Sequence, residues 1–257
     1  MTPRQLTIDP RFTGIPEIAH GGYVAGILTA ALGAGGSRVR LRRPVPTGRP
    51  LRMERGASAQ VELRDGAGVL ADAIAADVVV RVPEPVEPAD AAAASARFAA
   101  QSRHPFPECV TCGPARADGL GVAPGPVSGR ALVAALWTPA WQLGDGLDLL
   151  PPELVCAALD CTQLWALMFH APPATSDHVV TATLETRLDR RVAVGEPHVV
   201  IGWPIGRDGR RWVAGGAIFG PDGALCAAGR LTAAVVNGIG VPLGRDRWAA
   251  QDPLAAA

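Results

Sequence analysis

Asp160 stands in the middle of PPELVCAALDCTQLWALMFH (151–170), a stretch otherwise suited to a protein core. Leu154, Ala157, Ala158, Cys161, Leu164, Trp165 and Met168 recur at helical spacing, which predicts a helix of about four turns buried along most of its length. An apolar helix holds a carboxylate at a large desolvation cost unless the charge is hydrogen-bonded or used. A partly desolvated carboxylate has a raised pKa and serves as a general base or nucleophile. Cys156 and Gln163 lie one turn either side of Asp160, and Pro at the start with Glu153 in the first turn marks the helix N-terminus. Cys156 and Cys161 have no base at an obvious spacing and read as small core residues. Cys109 and Cys112 have the spacing of half a zinc site, but no second pair follows and His104 is the one nearby donor, so no metal is expected.

These residues need elements to hold them. Gln5–Ile8 reads as a strand, and His20-Gly21-Gly22-Tyr23 opens a second apolar helix running to Leu32, closed by the Gly-rich GAGGS. Strands are predicted over Arg38–Arg43, Arg52–Leu63 and Val69–Arg81, separated by the turn sequences PTGRP and DGAG. The Pro-rich PEPVEP then leads into a short Ala-rich helix and makes the best boundary in the chain. Beyond it come predicted strands near Leu120–Val122 and Ala131–Trp137, the Asp160 helix, and strands near Val179–Arg187, His198–Pro204, Arg211–Phe219 and Ala224–Val236.

The composition bounds the function. The 257 residues are 48% hydrophobic, enough for one large domain or two small ones, and net charge is zero with no charged block. That balance argues against a nucleic-acid partner. All 24 basic residues are Arg. Five cysteines, an odd number, with no secretory pattern indicate neither a disulfide framework nor export, so a cytoplasmic location is expected. No apolar run approaches the roughly 18 residues of a membrane span, and no membrane partner is expected.

One unit occurs twice. RRPVPTGRP (42–50) is echoed by RRVAVGEP (190–197), and DGAGVLADA (65–73) by DGALCAAG (222–229), at matching places in a strand, helix and strands order. A helix followed by hairpins implies an antiparallel sheet wrapped on that helix, and two copies would cover each other. The expected division is 1–83, a linker with a short helix at 84–104, 105–238, and a tail at 239–257.

HGGYVAGILTAAL followed by VRLRRPVPTGRPLRME resembles the first half of the TesB-like acyl-CoA thioesterases. CVTCGPARADGL (109–120) and ALDC (158–161) resemble a PaaI-type hotdog thioesterase. The resemblance implies an α+β double hotdog, two antiparallel sheets each wrapped on a central helix and joined into one continuous sheet. It implies hydrolysis of an acyl-CoA or acyl-carrier thioester, with no cofactor. Asp160 is then the catalytic acid, with Thr183 (or Thr181) and Gln163 orienting water. His20, Gly21, Gly22, Tyr23 and Thr181 would line the substrate. A helix N-terminus offers unpaired N–H groups to a developing oxyanion, which suits this chemistry on its own terms. Thr29 stands where the first helix would carry an acid, Pro151-Pro152 replaces the paired glycines of the second, and Leu231 beside Arg230 occupies the family's Gln position. Two alternatives remain: a hotdog that holds acyl-CoA without cutting it, and a dehydratase or hydratase of 3-hydroxyacyl thioesters that pairs His20 with Asp160. A homodimer is a further expectation.

Overall fold

Backbone hydrogen bonds at two distant points show the repeat most directly. Ala19 N–H donates to Val45 O at 2.8 Å just before the first helix, and Leu150 N–H donates to Val192 O at 2.8 Å just before the long one. Isolated bridges at Ile18–Pro46 and Leu149–Ala193 repeat the same contact. In each half, the segment that starts the helix is tied to the echoed connection between two strands. Gly48 (φ 72°) and Gly195 (φ 76°) turn those connections in the left-handed region that glycine tolerates.

The computed structural model describes residues 3–56, 60–66, 68–100, 104–144, 146, 148–171 and 177–237, so the expected tail at 239–257 lies outside the described residues. In chain order the first half holds β1 (Arg4–Thr7), a small β2 (Thr13–Ile15) and β3 (Ile18–Ala19) hairpin, and α1 (Gly21–Leu32). Then come β4 (Gly36–Leu41), β5 (Pro50–Arg55), β6 (Val61–Asp65) and β7 (Gly68–Ala75). After α2 (Pro88–Ala99), the second half holds β8 (Gly125–Pro126), β9 (Val133–Trp137), α3 (Pro152–His170), β10 (Asp177–Leu188), β11 (His198–Asp208), β12 (Arg211–Phe219) and β13 (Leu225–Asn237).

Eleven of these strands form one antiparallel sheet in the order β1-β5-β6-β7-β4-β10-β13-β12-β11-β9-β8. Read outward from the centre, β4-β7-β6-β5-β1 and β10-β13-β12-β11-β9 have the same connectivity. The halves join where β4 pairs with β10, from Thr183↔Arg40 to Arg187↔Gly36. Glu185, on β10, bonds Arg38 of β4 at 2.5 Å and Arg230 of β13 at 2.9 Å, so one carboxylate ties three strands across that seam.

Helices α1 and α3 pack against each other inside the sheet. A Cβ at Gly22 would lie 2.5 Å from Cys156 O, and one at Gly26 would lie 2.1 Å from Glu153 Cα, so the helices run antiparallel with backbones nearly touching. Only glycine permits that approach. On the second half, Val200 and Ala135 face the α3 core, while Val199, Ile201 and Ala134 face Ala91 and Ala94 of α2, as strand alternation requires. The α2 helix, expected within a linker, thus covers the opposite face of the second half's sheet. Among the described residues, no helix is long and apolar enough to cross a membrane.

Three strand expectations need correction. Arg52–Leu63, expected as one strand, is the antiparallel pair β5 and β6. The strand expected through Arg81 stops at Ala75, where its partner β4 runs out at Ser37↔Ala75. Leu120–Val122 is not in the sheet: Leu120 and Val122 donate to Val110 O and Thr111 O and are buried in a loop.

Candidate active site

The long helix presents Asp160 to the N-terminus of α1. Its Oδ2 accepts the Gly22 N–H at 2.6 Å and its Oδ1 accepts the Thr181 hydroxyl at 2.5 Å. His20 Nδ1 lies 3.6 Å from Oδ2. The first N–H groups of a helix lack intrahelical acceptors, and α1 has no side-chain cap, so a carboxylate from the other half satisfies one of them. A Cβ at Gly22 would sit 2.6 Å from Asp160 Cβ, which excludes a side chain there. Gly21 is half-buried, and a Cβ on it would come within 3.2 Å of Asp160 Oδ2 and 3.4 Å of Thr181 Cβ.

Asp160 is only 2% exposed and His20 4%. Burial pushes the Asp160 carboxyl above the usual range, while His20, the Thr181 hydroxyl and the Gly22 amide oppose the rise. The group is therefore desolvated yet hydrogen-bonded through both oxygens. Of the residues singled out in the sequence, His20, Gly21, Gly22, Asp160 and Thr181 come together here from both halves of the chain.

The others lie around this centre. Tyr23 stacks on Phe12 with ring centroids 4.1 Å apart, and burial followed by the Glu153 charge pushes its hydroxyl up to about 12. Gln163 is buried against β12, where a Cβ at Gly216 would meet its Cγ at 2.7 Å. Among the described residues, neither atom of the Gln163 amide has a hydrogen-bond partner. Thr181 and Thr183 flank an irregularity in the β10–β13 pairing, and Thr183 is half-buried. Neither Gln163 nor Thr183 hydrogen-bonds Asp160.

Sequence reasoning missed the other side of His20. Its Nε2 meets Cys161 Sγ at 3.2 Å, and the ligand atoms of His20, Cys109 and Cys161 all lie within 4.8 Å of one another. Hydrogen bonds from Cys112 and Cys161 hold the Cys109 thiol well below its usual range. His104 stands apart: its Nδ1 accepts Phe106 N–H at 3.1 Å and its ring packs on Phe98 and Trp165. The signal in the sequence was the adjacency of Cys161 to Asp160, which fixes where that thiol goes once Asp160 is placed.

No protein-family model matches the sequence, and no curated protein matches it. Solved structures do match over nearly the whole chain. A TesB protein of Mycobacterium avium subsp. paratuberculosis superposes with a TM-score of 0.61 at 14% identity, over 91% of this chain and 93% of that one. An acyl-CoA thioesterase II of Mycobacterium marinum gives 0.55 at 14%, over 92% and 93%. A hotdog-fold protein of Alicyclobacillus acidocaldarius gives 0.59 at 11%, over 92% and 94%. With helix α1 and helix α3 held by a large antiparallel sheet, the chain has the α+β hotdog fold.

Proposed function

We propose that the chain is a double hotdog that hydrolyses an acyl thioester of CoA or of a carrier protein, with Asp160 as general base or nucleophile. One observation carries the reading: the His20-Gly21-Gly22 helix start of the first half meets the acid of the second half's helix at 2.6 Å. Both parts that acyl transfer needs, a carboxylate and a helix N-terminus, are then contributed to one place by different halves. The likeness to thioesterase structures over nine-tenths of the chain points the same way.

As general base, Asp160 takes a proton from water while the water oxygen bonds to the thioester carbon and the carbonyl becomes an oxyanion. Collapse of that intermediate breaks the C–S bond, and the departing thiolate takes the proton back from Asp160. The Gly22 amide already serves the carboxylate, so the oxyanion falls to other first-turn amides of α1, at Gly21 or Tyr23. Thr181 holds Oδ1 and turns Oδ2 toward the Gly21 side, the less buried edge of the site. The test is thiol release from short, long and aromatic acyl-CoAs, by wild type and by Asp160→Asn. Wild-type turnover on some member of the panel, lost in the variant, supports the reading. Equal rates refute the role of Asp160.

The 3.6 Å approach of His20 to Asp160 favours one second reading, a hydratase or dehydratase of 3-hydroxyacyl thioesters. Against it, the Nε2 of His20 is turned to the buried Cys161 thiol. Water loss from 3-hydroxyacyl-CoA without thiol release would favour it over hydrolysis.

A further inference from the structure

Cys109, Cys112 and Cys161 bring three sulfur atoms into one buried triangle. The Sγ–Sγ separations are 3.7 Å for Cys109–Cys161, 3.7 Å for Cys112–Cys109 and 3.3 Å for Cys112–Cys161. A tetrahedral zinc with Zn–S bonds of about 2.3 Å sets its sulfurs roughly 3.8 Å apart, so this triangle is close to one face of such a site. His20 Nε2, 3.2 Å from Cys161 Sγ and within 4.8 Å of Cys109 Sγ, is the fourth donor; Cys112 stands outside that 4.8 Å group, so binding would draw the histidine and Cys112 closer. All four residues are no more than 7% exposed. The three thiols contact one another, a histidine and an indole within the hydrophobic core.

We infer that Cys109, Cys112, Cys161 and His20 form a structural zinc site. Three sulfurs and one imidazole are a common closed set for zinc, and burial leaves no open position for a substrate or water. On binding, the three thiols release their protons to solvent and the neutral imidazole binds through Nε2. The surroundings match what such sites require. The Trp165 indole N–H donates to Cys112 Sγ at 3.3 Å. Asp160 Oδ2 lies 3.6 Å from His20 Nδ1, which has no hydrogen-bond partner among the described residues, so a small shift on binding Nε2 would let it donate to that carboxylate as metal-bound histidines do. Gly113 closes the Cys-x-x-Cys turn with its N–H on Cys109 O at 2.8 Å, and a Cβ there would lie 2.3 Å from Pro107 O.

The site would cross-link the start of α1, the loop that opens the second half and the middle of α3. It would also fix the face that His20 turns to Asp160. Its existence does not depend on the thioesterase reading, because metal content is measured without substrate.

Elemental analysis and native mass spectrometry of the full chain, purified under reducing conditions without chelator, should find about one zinc per chain. Cys112→Ser and Cys161→Ser should each lose it, whereas Cys156→Ser and Cys226→Ser, at buried thiols outside the cluster, should keep it. Wild-type protein stripped of metal and given cobalt(II) alone should develop thiolate charge-transfer bands and the visible bands of a tetrahedral site, a readout that needs no variant. Trp165→Phe should weaken metal affinity by about 10–100-fold. A reduced, folded chain that holds no zinc and gives no cobalt bands would overturn the site. So would zinc retained in both Cys112→Ser and Cys161→Ser, or an intact mass short by two hydrogens, which would mark a disulfide among these thiols instead.

Discussion

Asp160 and Thr181 set the residue scale. An Asn at 160 keeps the shape: its amide oxygen can accept the Gly22 N–H while its NH2 donates to the Thr181 hydroxyl, so Asp160→Asn should fold while turnover falls by about 10²–10⁴-fold. Thr181→Val removes one hydrogen bond to a charged group, worth about 1.5–3 kcal/mol, and should cost roughly 10–100-fold in kcat. Thr183→Val, with no bond to the carboxylate, should leave kcat near wild type, and steady-state kinetics on one acyl-CoA separates the two. Tyr23 is the chain's single tyrosine, so its ionisation can be read alone by ultraviolet absorbance, and in the folded protein it should titrate at about 12. Because the unfolded tyrosine ionises near its model value of 10.0, stability carried by the protonated form should be lost as pH rises through the window from there to about 12. A native-state titration midpoint at 10.0 would contradict the burial of this ring against Phe12. His20, Gly22 and Asp160 were legible in the sequence because each belongs to a local pattern. The contact of His20 with Cys161 was not, because the two are 141 residues apart and meet only when the helices are docked.

At the scale of elements, the antiparallel contact of α1 with α3 decides most of the geometry. Gly26→Ala would drive a methyl group toward Glu153 Cα, at 2.1 Å in the present backbone, and should destabilise the fold by about 1–3 kcal/mol or more, measured by chemical denaturation. Gly35→Ala, where nothing lies within 4 Å and φ is not positive, should cost far less. Both helices and the long second-half strands were readable because their apolar periods are strong and their ends carry Pro or Gly. Elements defined by a partner were not. Strand β7 ends because β4 ends, and residues 76–81 continue an apolar pattern that no strand is left to pair. Leu120 and Val122 look like a strand because they are buried, but their hydrogen bonds go to the Cys109–Cys112 loop. The break between β5 and β6 carries no Asn-Gly or Asp-Gly signal, so an alternating run read straight through it.

For the whole molecule, the β4–β10 seam makes two repeats one body. Glu185 lies in that seam at 9% exposure with Arg38 and Arg230 on its two oxygens. Glu185→Ala leaves both guanidinium groups unpaired, but each is nearly half exposed and water screens them, so a loss of about 1–2 kcal/mol is expected. A single cooperative thermal transition, shifted down as a unit, would fit halves that share a sheet, whereas two separated transitions would show that they melt independently. The repeat also carries an arithmetic consequence. Asp160 stands nine residues after the helix cap Pro151 (160 − 151), and Thr29 stands nine after the cap His20 (29 − 20). Thr29 offers a hydroxyl where an acid would stand: it lies 2.6 Å from the Ser37 hydroxyl, bonds back to Ala25 O at 2.8 Å and interacts with the Cys156 thiol of the partner helix. Duplication therefore leaves one acid-bearing place and one sealed by a hydroxyl pair, and calorimetric titration with a non-hydrolysable acyl-CoA analogue should saturate at a stoichiometry of one per polypeptide, where two equivalent repeats would take up two.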